Sequence, residues 1–160
     1  ESVLWDRLAS WTESQDPGIR YFSGTSDYAA EFEMDGTSLG TGRSWVLDLG
    51  AVREVAEVAL NGRSLGILWK EPFQADVSGL LRSGRNVLEV RITNLWHNRL
   101  MGDLLDPGHK SAARTNMTLK AQELIPSGLL GPVTIRRAAR RESAGRGSTD
   151  APVRAPGPAR

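Results

Sequence analysis

The 160-residue chain is 39% apolar, enough for one packed domain but not two, and it has neither a cysteine nor an apolar run long enough to cross a membrane. Its pI near 8.5 suggests a polyanion partner until the charge is divided along the chain. Residues 136–160 carry seven Arg against Glu142 and Asp150, leaving 13 basic and 17 acidic groups elsewhere. A mildly acidic body repels phosphate, so neither a nucleic-acid nor a membrane partner is expected.

The chain opens at Glu1 without a Met and without a charged leader followed by an apolar stretch. This reads as a processed or excised piece with no signal peptide. Helical signal is confined to Val3–Trp11, one turn near Val77–Leu81 and Asn98–Leu105.

Elsewhere the period is two. In SDYAAEFEM, Tyr28, Ala30, Phe32 and Met34 share one face and Asp27, Ala29, Glu31 and Glu33 the other, the pattern of a half-buried antiparallel strand. SWVLDLG aligns Trp45, Leu47 and Leu49. NVLEVRITN aligns Leu88, Val90 and Ile92. Between them, REVAEVALNGRSLGILWK predicts two strands joined at Asn61-Gly62, the pair that best tolerates the positive φ angles of a type I′ turn. Glycine punctuation recurs at sandwich-like spacing and no βαβ alternation interrupts it. From Leu105 to Gly128 a long loop is expected, followed by a last strand in GPVTIRRA that starts at Pro132. The tail from about Ala139 is rich in Arg, Pro and Gly without aromatics, which predicts disorder over 139–160 beyond a domain of 1–138.

Tests for chemistry return little. His97 and His109 are the two histidines and fit no HExxH or HxH pattern, and no GxSxG offers a nucleophile. No metal site and no cofactor are expected. GTSLGTGRS lacks the GxxxxGK[ST] order of a phosphate cradle. Glu31, Glu33, Glu54 and Asp48 are expected on solvated strand faces. Asp103, Asp106 and Glu123 lie nearer the long loop, where nothing in their spacing marks a glycosidase pair. No catalytic residue is assigned. Asn116-Met117-Thr118 is a formal glycosylation sequon.

Five tryptophans stand out. Trp45 is core by its phase, whereas Trp69 and Trp96 fall at strand ends, where burial, interdomain packing or stacking on a sugar ring all fit. The stretch TNLWHNRLMGD (93–103) closes the NVLEVRITN run. Three readings stay open for it. Leu95 and Leu100 pack inward while Asn94 and Asn98 tie loop backbone and Arg99 pairs with Asp103; or the stretch contacts a separate catalytic domain or its substrate; or it forms a sugar site by itself.

Taken together, YFSGTSDY (21–28), WVLDLG (45–50), VALNGRSLGILWKEPFQADVSGLL (58–81), GRNVLEVRITNLWHNRLMGD (84–103) and SGLLGPVTI (127–135) resemble the galactose-binding-like sugar-binding domain of glycoside hydrolase family 2. They are closer still to the C-terminal sandwich of the family 106 α-L-rhamnosidases. The resemblance implies an all-β jelly-roll β-sandwich, non-catalytic and carbohydrate-binding, that packs as an accessory domain on a separate catalytic (β/α)8 barrel and works outside the cytoplasm. An independent carbohydrate-binding module and a purely structural packing domain are the alternatives. Under this resemblance Asn94, Trp96, Asn98, Arg99 and Asp103 are the positions expected to touch sugar or barrel, and the strand-end Trp69 is expected to stack with Trp96 on a sugar or barrel residue.

Overall fold

The computed structural model describes residues 6–40, 42–105 and 123–138. The expected tail, Asp106, His109, the sequon and most of the long loop lie outside the described residues.

The largest sheet has four antiparallel strands: β1 (Thr25–Met34), β4 (Val55–Leu60), β5 (Arg63–Leu68) and β7 (Gly84–Thr93), in the order β1-β7-β4-β5. Its centre is β7, paired with β1 from Thr25↔Thr93 to Met34↔Gly84 and with β4 from Val55↔Thr93 to Leu60↔Leu88. Alternation fixes this register. Asn86, Leu88, Val90 and Ile92 are buried while Arg85, Glu89, Arg91 and Thr93 point the other way, and a one-residue slip would turn four buried side chains out to water. The β4–β5 connection is the type I′ turn expected, with Asn61 at φ 53° and Gly62 at φ 76°.

Facing this sheet are β2 (Trp45–Asp48), flanked by β6 (Gln74–Asp76) and β9 (Thr134–Arg137), and the pair β3 (Ala51–Arg53) with β8 (Gly128–Gly131). Leu47, Leu49, Val52, Phe73 and Leu129 from this side join Ala56, Val58, Leu60, Val90 and Ile92 from the other in one buried cluster. Burying a large side chain of this kind is worth roughly 1.5–3 kcal/mol relative to exposure. The chain is an all-β sandwich of the jelly-roll class.

Two polar arrangements tie the layers. In one, Asn61 donates to the Leu80 carbonyl and to Asn86 Oδ1, and Asn86 donates to the carbonyls of Arg82 and Gly84. The LNG and GRN triplets therefore form a single brace at one end of β7. In the other, Trp11 Nε1 and the Leu129 amide both donate to the Tyr28 hydroxyl, while Trp11 meets Phe22 edge-on at 5.4 Å. Burial raises the Tyr28 pKa above its ordinary value against the opposing effect of these two donors.

Several expectations need correcting. Of the helix expected over Val3–Trp11, residues 3–5 lie outside the described residues, and the described part is helical only in a 3-10 turn at Trp11–Glu13, capped by Ser10; the turn expected near Val77–Leu81 is present, closed by the Leu80 amide on the Val77 carbonyl. β8 occupies Gly128–Gly131, and the last strand starts at Thr134 rather than Pro132. Trp45 is half-buried against the core, with Arg137 5.7 Å from its ring. Asp48 is held in a network of its own instead of facing solvent freely.

Candidate functional site

Thr93 is the last paired residue of β7, and its hydroxyl lies 2.8 Å from that of Thr25. Beyond it the alternation persists for two residues, so Asn94 points inward. There the Asn94 amide is fully used: Oδ1 accepts from the Gly24 amide at 2.9 Å, and Nδ2 donates to the Phe22 carbonyl at 2.8 Å and to Ser127 Oγ at 3.3 Å. A buried amide group left unpaired would cost about 1–3 kcal/mol, which explains why the exit from the strand is so tightly specified.

Leu95 takes the outward phase and is about half-exposed, contrary to the one of the three readings that packs it inward. The helix α1 (Pro17–Arg20) precedes β1. A second helix, α2 (His97–Leu105), follows Trp96. Asn98, Met101 and Gly102 are its buried residues, spaced i, i+3, i+4 on one face. Gly102 is required there, because a Cβ would stand 2.6 Å from Cγ of Tyr21. Asn98 repeats the clamp of Asn94. Its Nδ2 donates to the Ile125 carbonyl at 2.7 Å and to Ser127 Oγ at 2.9 Å, and its Oδ1 accepts from the Ile125 amide at 2.9 Å. Ser127 in turn donates its amide to Ser10 Oγ, and its carbonyl accepts from the Trp11 amide. His97 Nε2 lies 3.0 Å from the Glu123 carbonyl oxygen.

Two asparagines and Ser127 thus fasten the start of β1, the end of β7, the helix and the approach to β8 into one buried polar knot. Arg99 and Asp103 pair at 2.8 Å along the helix, with side chains mostly covered. Neither asparagine amide faces solvent.

What does face solvent is apolar. Trp96 is 63% exposed, and Leu95, Leu104 and Leu105 are exposed beside it in the chain. Trp69 is 68% exposed and directly follows β5. Leu68 pairs with Ala56, and the preceding residue Val55 pairs with Thr93. The register therefore sets Trp69 at the same sheet end as Thr93, about 10 Å away across two strand spacings. Ile67, two residues earlier, shares its outward phase and is exposed too. Among the described residues, every large exposed hydrophobic belongs to the end of β5 or to the segment leaving β7. Lys70 Nζ sits 5.4 Å over the Trp69 ring.

Of the six positions singled out from sequence, the fold brings all six to one end but splits their tasks: Asn94 and Asn98 inside, Arg99 and Asp103 mostly covered, Trp69 and Trp96 outside. Ser10 and Ser127 were missed. Their partners are up to 117 positions apart, and the only local signal is a serine ahead of a short glycine-bounded strand. Among the described residues no group of three His, Asp or Glu could hold a metal ion.

No family model matches the chain. It is 40% identical over 158 residues to a protein of Formosa agariphila described as "Putative beta-glucuronidase", covering 83% of this chain and 14% of that one. The structure of a rhamnosidase from Novosphingobium sp. PP1Y superposes with a TM-score of 0.76 at 41% identity, over 84% of this chain and 13% of the enzyme. A β-D-glucuronidase from Dictyoglomus thermophilum gives 0.58 at 25% identity, over 82% and 24%. The chain thus spans about one seventh of the length of the first two. Over more than four-fifths of its own length, the chain is similar to a minor part of glycoside hydrolases.

Proposed function

We propose that the chain is a non-catalytic accessory domain of a glycoside hydrolase, with rhamnose-containing glycans as the favoured substrate class of the whole enzyme. The end of the sandwich carrying Trp69 and Thr93–Leu105 is its working surface. The observation that carries this is the gathering of all large exposed hydrophobics of the described residues at that end, on a segment clamped from within by Asn94 and Asn98. Exposed apolar side chains on a rigid support are what a docking or ligand-stacking face requires. Trp96 and Trp69 stack on a sugar ring or on the catalytic barrel; the two asparagines and the Arg99–Asp103 pair hold the segment in position. The general acid and base belong to the catalytic part of the longer protein. Similarity to about 14% of a relative supports that division of labour.

The saturation of both asparagine amides favours a second reading, a purely structural domain that docks on the barrel and binds no sugar. Isothermal titration of the chain with rhamnose-containing oligosaccharides, run beside an aryl-glycoside hydrolysis assay, separates the readings. Heat without hydrolysis supports the accessory binding domain, silence in both supports the structural one, and unaided hydrolysis rules out both.

A further inference from the structure

The loop that follows Trp69 runs into an open pocket of about 530 Å³ that the working surface does not use. It is lined by Asp48, Gly50, Ala51, Glu71, Pro72, Phe73 and Gln74, a volume within the range of small-molecule sites. Its polar wall is built rather than incidental. Asp48 closes the end of β2, where Oδ1 accepts from the Gly50 amide at 2.9 Å and Oδ2 accepts from Gln74 Nε2 at 2.7 Å. Arg136 braces the same oxygen from β9 at 3.5 Å. The Gly50 amide is the chief cause of a lowered Asp48 pKa, so this carboxylate is ionised at neutral pH.

With Asp48 held from three sides, Gln74 still has its amide oxygen to offer, and Glu71 adds an exposed carboxylate. The remaining lining is Pro72, the buried Phe73 and the small residues Gly50 and Ala51. Acceptors and apolar groups thus line the same open depression, the two kinds of group that take the hydroxyl hydrogens and the C–H groups of a sugar ring.

We propose that this pocket binds a neutral pyranose through a pair of neighbouring hydroxyls, as a sugar subsite distinct from the Trp69–Trp96 surface. The inference rests on the carbohydrate reading above. Charge sets its selectivity: Asp48 and Glu71 outweigh Arg136, so a sugar carrying its own carboxylate is repelled.

The test is a ¹⁵N–¹H NMR titration of the full 160-residue chain with L-rhamnose, D-glucose and D-glucuronate. Saturable shifts are expected at the Gly50 amide and the Gln74 side-chain NH₂ with the neutral sugars, with glucuronate weaker by roughly fivefold, the scale of a partly screened charge interaction. Glu71→Gln, at an exposed position, should weaken the neutral sugars and narrow the gap to glucuronate. Trp96→Ala should leave the pocket shifts unchanged. Equal binding of glucuronate overturns the proposal. So does movement confined to the indole signals of Trp69 and Trp96, which would leave the proposed function standing. Stillness at both places overturns this proposal together with the sugar-binding part of the proposed function.

Discussion

Asn98 donates to Ser127 Oγ at 2.9 Å, joining the helix after β7 to the segment that starts β8, 29 positions later. The same amide also takes both backbone groups of Ile125. Asn98→Ala removes all three bonds, strands the Ile125 amide and leaves the Ile125 carbonyl with the long 3.4 Å bond from Ser127 Oγ. The expected loss is about 2–4 kcal/mol, because orphaned buried polar groups cost more than the bonds contribute. Urea denaturation measures it; a loss below about 0.5 kcal/mol would show that water or backbone shifts replace the amide.

Three glycines separate steric from backbone effects. At Gly62, φ is 76° and nothing lies within 4 Å of the place a Cβ would occupy, so Gly62→Ala should cost about 1 kcal/mol from the left-handed backbone alone. Gly102 is helical, where alanine ordinarily gains up to about 1 kcal/mol. Here the methyl meets Tyr21, and a net loss of about 1–3 kcal/mol is expected from overpacking. Gly128 combines both penalties, with φ 98° and a Cβ 2.5 Å from Trp11 Nε1. Its alanine variant should be the least stable of the three, a ranking that thermal melts check directly.

The Asp48 carboxyl is held below its ordinary range by the Gly50 amide, with Gln74 and Arg136 adding to the effect. A depressed folded-state pKa means the stabilisation is complete above the unfolded value near 4 and is lost as pH falls through the folded value. Stability should therefore decline below about pH 4, and Asp48→Asn should flatten that acid limb while lowering stability at neutral pH. Tyr28 acts at the other extreme: its raised pKa makes stability complete below about pH 10 and declining as pH rises further. Tyr28→Phe should remove that alkaline decline. Stability curves across pH for the two variants decide both points.

On the outer face of the large sheet, Arg91 reaches Asp27 at 2.7 Å and Glu57 at 3.9 Å, with all three side chains about half-exposed or more. Screening and side-chain entropy leave such pairs worth about 0–1 kcal/mol. Arg91→Ala should thus cost far less than Asn98→Ala, and its small effect should shrink further in molar salt. A loss of several kcal/mol would mean that the face is a cooperative network.

Strands β1, β4 and β7 were legible because each covers one face, which writes period two into the chain, and β5, which does not alternate, because Asn61-Gly62 has few alternatives to a tight turn. β8 was not, since Gly-Leu-Leu-Gly is too short and too glycine-bounded to alternate. The similarity to glycoside hydrolases was legible from the ordered motifs, whereas the roles inside Thr93–Asp103 were not. Asn94 lies inward because the β7 alternation continues past Thr93, which forces Leu95 outward despite its hydrophobicity. Following the phase instead of the side chain's character would have placed both. The knot at Ser127 depends on partners brought together only by the fold, and no local pattern encodes them.

Trp96→Ala puts the working surface itself to the test, because the side chain is largely exposed and its removal should leave stability within about 0.5 kcal/mol of the parent. Titrated calorimetrically with a rhamnose-containing oligosaccharide, the intact chain should release heat, and the variant should bind at least roughly tenfold more weakly, as expected for loss of a stacking aromatic. Equal affinity of the two folded proteins would contradict the assignment of this end of the sandwich as the surface that meets the sugar.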